Sequence, residues 1–172
     1  MSLLTEFLYY TTNGWNVTSI SACIACICMC QVSGLLWYGP WFGQAFLRLA
    51  HPHGKTPEDL KRKKERKKDD FTCAGNAYAS AMVGSALAVI LLRTLLIVLK
   101  VGNAMDGVFV GVLLSGVDTV FGIMHPFFED RPIALYFIHQ GYHLWCLSIA
   151  GGILGFANYI ENARMSSIIY FL

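Results

Sequence analysis

A chain of 172 residues that is 55% apolar and only 14% charged, with a mean hydropathy of +0.50, excludes an ordinary soluble domain, whose surface needs about a quarter charged residues. The net charge of +2 is not spread along it. Between Lys55 and Asp70 stand 8 basic and 5 acidic residues, whereas the remainder holds 5 basic and 6 acidic ones, so the positive balance belongs to that one segment.

The first 16 residues hold no Lys or Arg and no short apolar region ending in a small-residue cleavage site, so the first apolar stretch is expected to be an uncleaved helix. A hydrocarbon core of ~30 Å requires ~20 apolar residues per helix. Four such spans are predicted: Val17 to about Tyr38, about Phe71 to Leu99, Asp106 to Phe128, and Pro132 to about Ala157. The second, at roughly 29 residues, must tilt or protrude. The Gly102-Asn103 turn and the Glu129-Asp130-Arg131-Pro132 corner make neighbours antiparallel. An all-α, up-down-up-down four-transmembrane-helix bundle follows, one integral membrane domain over 1–172.

Between spans one and two, Trp37, Tyr38, Trp41 and Phe42 surround Pro40, where the first helix must break or bend, and such aromatics favour headgroup depth. Gln44 to Ala50 alternates as a short interfacial helix would. The basic loop, 51–70, opens with a helix start at Thr56-Pro57-Glu58-Asp59 and carries Lys61, Arg62, Lys63, Lys64, Arg66, Lys67 and Lys68. This density is expected to hold the loop on the cytoplasmic or matrix side, with both termini opposite. Anionic lipid or an acidic partner could also bind it. Nucleic acid is not expected, because no folded basic domain surrounds the run.

Five stretches carry a resemblance: Gly34-Leu35-Leu36-Trp37-Tyr38-Gly39-Pro40-Trp41-Phe42-Gly43, Thr56-Pro57-Glu58-Asp59, Phe128-Glu129-Asp130-Arg131-Pro132, Gln140-Gly141-Tyr142-His143, and Gly151-Gly152-Ile153-Leu154-Gly155. Together they resemble the domain of unknown function seventeen sixty-one, a family of small, mainly bacterial, four-span membrane proteins. The resemblance covers roughly Gly34 to Gly155 and implies the fold and topology. It implies no catalytic residues and no cofactor. The lysine-dense insertion and the cysteine-rich first span depart from the family pattern.

Small residues recur four apart at Ser80, Gly84 and Ala88, at Gly107, Gly111 and Ser115, and at Gly151 and Gly155. Such faces let helices in lipid approach closely, and they suit either internal packing or assembly with another chain. If one stripe meets another chain, Gly151 and Gly155 are the expected face. Intramembrane charges are costly unless paired or wet, which singles out Arg93 and Asp118. Their Cα depths differ by roughly 8 Å at 1.5 Å per residue. His139 and His143, at i and i+4, share a face, so Arg93, Asp118, His139 and His143 are expected to form one polar cluster. That cluster suits a structural charge pair, a proton or solute path, or a catalytic or metal centre.

His-x-x-x-His alone is weak as a zinc motif, because Gln140-Gly141 replaces the acid of a metalloprotease. No phosphate loop or nucleophile elbow occurs. Cys23, Cys26, Cys28 and Cys30 lie on one helix, which cannot wrap four thiolates around an ion, so they read as small packing residues. No metal, cofactor or catalytic residue is therefore assigned. The expected role is a non-enzymatic structural or accessory membrane component, a homo-oligomer or a subunit of a larger complex. The alternative is a small translocator of protons or solute.

Overall fold

The computed structural model describes residues 15–50, 74–128 and 132–169, and nearly all of them are helical. The basic run Lys61 to Lys68, the start of the second span and the Glu129-Asp130-Arg131 corner lie outside the described residues. Helix α1 (Val17–Leu36) begins at Asn16, whose side chain accepts the Ser19 N–H at 2.8 Å while Ser19 Oγ accepts the Asn16 N–H at 2.9 Å. This reciprocal pair satisfies two amides at the helix start. At the expected break the chain widens into a π-helical turn, Trp37–Trp41, with Pro40 inside it. Proline has no N–H to continue the regular ladder. Helix α2 (Gly43–Ala50) follows, and only glycine fits its first position, because a Cβ there would lie 2.7 Å from the Tyr38 carbonyl oxygen.

Helix α3 (Ala74–Val98) ends in a reversal that the sequence assigns to Gly102-Asn103. The structure gives the left-handed position to Lys100 instead (φ 54°), with the Lys100 N–H on the Ile97 carbonyl and the Val101 N–H on the Leu96 carbonyl, both at 2.9 Å. That is the usual glycine-capped helix end built with a lysine. Asn103 serves the next helix by accepting the Asp106 N–H at 2.8 Å, so α4 (Ala104–Gly122) starts two residues before Asp106. A short α5 (Met124–Phe128) completes the third span. Helix α6 (Ile133–Ile169) runs well past Ala157 for 37 residues. At 1.5 Å per residue it is about 55 Å long.

Helix α6 is the element on which the others pack: α4 along most of its length, α1 next, and α3 and α2 less, whereas α3 and α4 scarcely touch. The α4–α6 seam is backbone against backbone. A Cβ on Gly107 would run into the Gly151 carbonyl, one on Gly111 into the Leu147 carbonyl, and one on Gly155 into the Asn103 carbonyl. Numbers rise on α4 as they fall on α6, so this pair is antiparallel. Gly151 and Gly155 thus serve the internal packing of the bundle, one of the two uses expected of them. On α1 the buried positions Ser19, Ala22, Cys23, Cys26, Cys30 and Ser33 form one stripe, and Cys26, Leu92, Leu96, Ala150 and Leu154 close the core.

The outside is as apolar as the inside. Val83, Leu87 and Leu91 on α3 and Phe109, Leu113, Val117, Val120 and Phe121 on α4 are all more than half exposed. A surface of this kind is incompatible with water around a monomer. Among the described residues, four helices are long and apolar enough to cross a membrane: Val17–Trp41, Ala79–Val98, Ala104–Phe128 and Ile133–Ala163.

Candidate functional site

The register of the glycine seam places Ser115 opposite His143. Asp118 stands one turn further along α4, and helical side chains lean toward the N-terminus, so its carboxylate reaches back to His143. Nδ1 of His143 lies 2.8 Å from Oδ2 of Asp118, and each side chain is nearly half exposed, at 47% and 48%. An ionised carboxylate only accepts, so the ring proton belongs on Nδ1 and Nε2 is the nitrogen that can take up a proton. Polar groups continue beside the pair. Thr119 Oγ1 lies 3.2 Å from Gln140 Oε1 and donates to the Ser115 carbonyl at 2.8 Å, while the Tyr136 hydroxyl donates to the Thr119 carbonyl. Tyr136, Gln140 and His143 therefore line one edge of α6 facing α4.

Asp118 and His143 form part of the wall of a cavity of about 380 Å³ between α3 and α4. Gly84, Ser85, Ala88, Val89 and Leu92 of α3 form the far side, and Tyr142, Cys146, Leu147 and Ala150 of α6, with Cys30 of α1, form the floor. Its lining is mainly apolar apart from that pair. Because α3 and α4 hardly meet, the cleft is a consequence of how the bundle packs.

The expected four-residue cluster is divided between three places. Arg93 is 2% exposed, with its guanidinium carbon 4.7 Å from the centre of the Trp15 ring. It does not line the cavity that holds Asp118 and His143. The depth argument fails here because depth along a helix does not fix which way the side chain faces. His139 also departs from His143, despite their i and i+4 spacing. Its Nδ1 lies 2.7 Å from the Tyr38 hydroxyl, and its ring stands edge-on to Phe46 on α2 at 5.7 Å. Four residues advance a helix by about 40° beyond a full turn, enough for neighbouring helices to claim the two rings separately.

Trp37, Tyr38, Trp41 and Phe42 do come together. Trp37 Nε1 donates to the Ile138 carbonyl at 3.0 Å, and its ring is 4.7 Å from that of Phe42. Trp41 meets Trp145 edge-on at 6.2 Å, and Tyr38 lies 5.4 Å from Tyr142. Gly141 makes room for this group, since a Cβ there would lie 2.9 Å from the Trp37 ring. Two of the sequence stretches quoted above, Gly34 to Gly43 and Gln140 to His143, are thereby one packed unit. Helix α6 carries Glu161 beyond Ala157, the expected end of the fourth span. Continuous helix-forming sequence without Gly or Pro after Gly155 was the available signal.

Residues 21–155 match the family model described as "Protein of unknown function (DUF1761)". The chain belongs to this family. The match begins earlier than the Gly34 suggested by the motifs and takes in the cysteine-rich stretch from Cys23 to Cys30. Comparison with curated proteins and with solved structures finds no match.

Proposed function

We propose that this family member is a small intramembrane proton carrier, moving protons alone or together with a small solute through the cleft between α3 and α4. One observation supports the reading above others: a hydrogen-bonded Asp118–His143 pair, half exposed, on a cavity wall roughly midway along the Ala104–Phe128 span. A charge at that depth is costly unless water or a second charge reaches it. With Nδ1 held by Asp118, the Nε2 of His143 is the position at which a proton can be loaded and released. In proteoliposomes carrying an internal pH dye, the intact chain is expected to speed collapse of an imposed pH gradient. Asp118→Asn and His143→Gln are each expected to lower that rate at least tenfold with unchanged thermal unfolding. A rate no faster than in empty liposomes overturns the reading.

A second reading, a non-enzymatic accessory component that assembles with itself or a larger complex, now draws on α3 instead of the last span. Ser80, Gly84 and Ala88 are exposed, and nothing lies within 4 Å of a Cβ on Gly84. For either role, we place the spans up-down-up-down with α2 at the interface. The lysine-rich loop lies at the cytoplasmic or matrix surface, against anionic lipid, and both termini lie opposite. Labelling a cysteine substituted at Lys63 and one near Ser2 from a single side of sealed vesicles checks this. Both reacting from the same side would remove a span.

A further inference from the structure

The two sides of the cavity differ in what they offer an occupant. On the α4 side, Oδ2 of Asp118 accepts from His143 Nδ1 at 2.8 Å, and Oδ1 makes no hydrogen bond among the described residues. Its lone pairs are left to whatever fills the cleft. On the α3 side, Ser85 Oγ accepts from Gln31 Nε2 at 3.0 Å and donates to the Ala81 carbonyl at 2.8 Å, so the hydroxyl that α3 contributes to the lining is already satisfied. Gly84, Ala88, Val89 and Leu92 complete that side. Tyr142 adds an aromatic ring to the lining, fixed by its hydroxyl, which donates to the Cys30 carbonyl at 3.0 Å. A cation within about 6 Å of such a ring face is attracted to it.

Charge narrows the choice further. Asp118 is the acid of the lining, which holds no Lys or Arg. With His143 neutral the cavity carries one negative charge, and with the ring protonated it carries none, so a carboxylate or phosphate meets no net positive site in either state. Hard metal cations take about six oxygen ligands, and no group of three His, Cys, Asp or Glu side chains among the described residues could hold a metal ion. The volume of about 380 Å³ is near the lower end of the ~300–1,000 Å³ typical of ligand cavities, which suits one ring or a short chain. We propose that the cleft binds a small organic ammonium ion, its N–H-bearing head on Asp118 Oδ1 and its apolar body along Gly84, Ala88 and Leu92. The head forms a charge-assisted hydrogen bond with the carboxylate and offsets the cost of holding that charge at membrane depth. Naming this ion as the solute that moves with protons rests on the carrier reading above.

The test uses the whole chain in nanodiscs, titrated calorimetrically at neutral pH with three probes that share a phenyl body and differ in the charge of the head: phenethylammonium, phenethyl alcohol and hydrocinnamate. Empty nanodiscs correct for partition into lipid. Phenethylammonium is expected to bind at least tenfold more tightly than the other two. Asp118→Asn should abolish that preference, and Ala88→Phe, at an exposed position of α3, should weaken ammonium binding at least tenfold by filling the cavity. His143→Gln, expected to lower proton flux, should keep the preference because the carboxylate remains. Equal affinity of the unaltered chain for the ammonium and the alcohol, which needs no variant to fold, overturns the inference, as does a preference that survives Asp118→Asn. Asp118-dependent proton flux without ammonium binding would leave the proposed function standing and sink this site. Ammonium binding without proton flux would keep the site and remove the carrier.

Discussion

The seam between α4 and α6 and the cleft between α3 and α4 are lined by the same kind of sequence, small residues four apart, and have opposite outcomes. At Gly107, Gly111, Gly151 and Gly155 no room remains for a methyl group, whereas Gly84 faces open space. Small-residue spacing therefore identifies a face along which a backbone can be approached without identifying what approaches it. The chain uses one such face to close the bundle and leaves the other beside a cavity. The ionisable groups divide in a related way, with Arg93 sealed within the packing and the Asp118–His143 pair at the cleft.

The largest effect is expected at the seam. Gly107→Leu would force α4 away from the Gly151 carbonyl and should cost of the order of 3 kcal/mol, measured by unfolding in mixed detergent micelles. A loss below about 0.5 kcal/mol would mean that the seam is looser than its geometry. A medium effect separates the charges. Arg93→Met should destabilise, Asp118→Asn should leave unfolding unchanged, and the double variant should equal the sum of the two within about 0.5 kcal/mol. Larger coupling would restore the single cluster expected from sequence. The smallest effect on stability is expected at the cleft, where Gly84→Leu should shift unfolding by less than about 0.5 kcal/mol. Native mass spectrometry of that variant bears on assembly: a smaller complex supports the accessory reading, and an unchanged one removes its support.

The existence of four spans was legible because the constraint is simple: lipid demands about 20 apolar residues with every backbone group satisfied within the helix. Boundaries were less legible, and for local reasons. Lys100 holds a left-handed position usually given to glycine, and Asn103 moves the start of α4 forward. Helix α6 continues through Asn158 and Glu161 because polar residues do not end a helix, and Asn158 finds the Val101 carbonyl at 3.2 Å. At the site, Asp118 and His143 were legible as intramembrane ionisable residues on adjoining spans. The separation of Arg93 and His139 from them was not, because it depends on the rotation of each helix against its neighbours. That rotation is set by contacts such as Gly107 on Gly151 and Trp37 on Gly141, which involve residues far apart in the chain.

The dependence of α1, α4 and, in part, α3 on α6 has a consequence for biosynthesis. Chains emerge N-terminus first, so the element against which the earlier spans pack is the last to be made. Until Ile133 to Ile169 has entered the bilayer, Gly107 and Gly111 have no backbone opposite them, the stripe from Cys26 to Ser33 lacks Tyr142, Trp145 and Ala150, and α3 has little contact with α4. The first three spans must then wait side by side in lipid or against the insertion machinery. A ribosome stalled before Ile133 would hold three inserted helices that have not yet become a bundle.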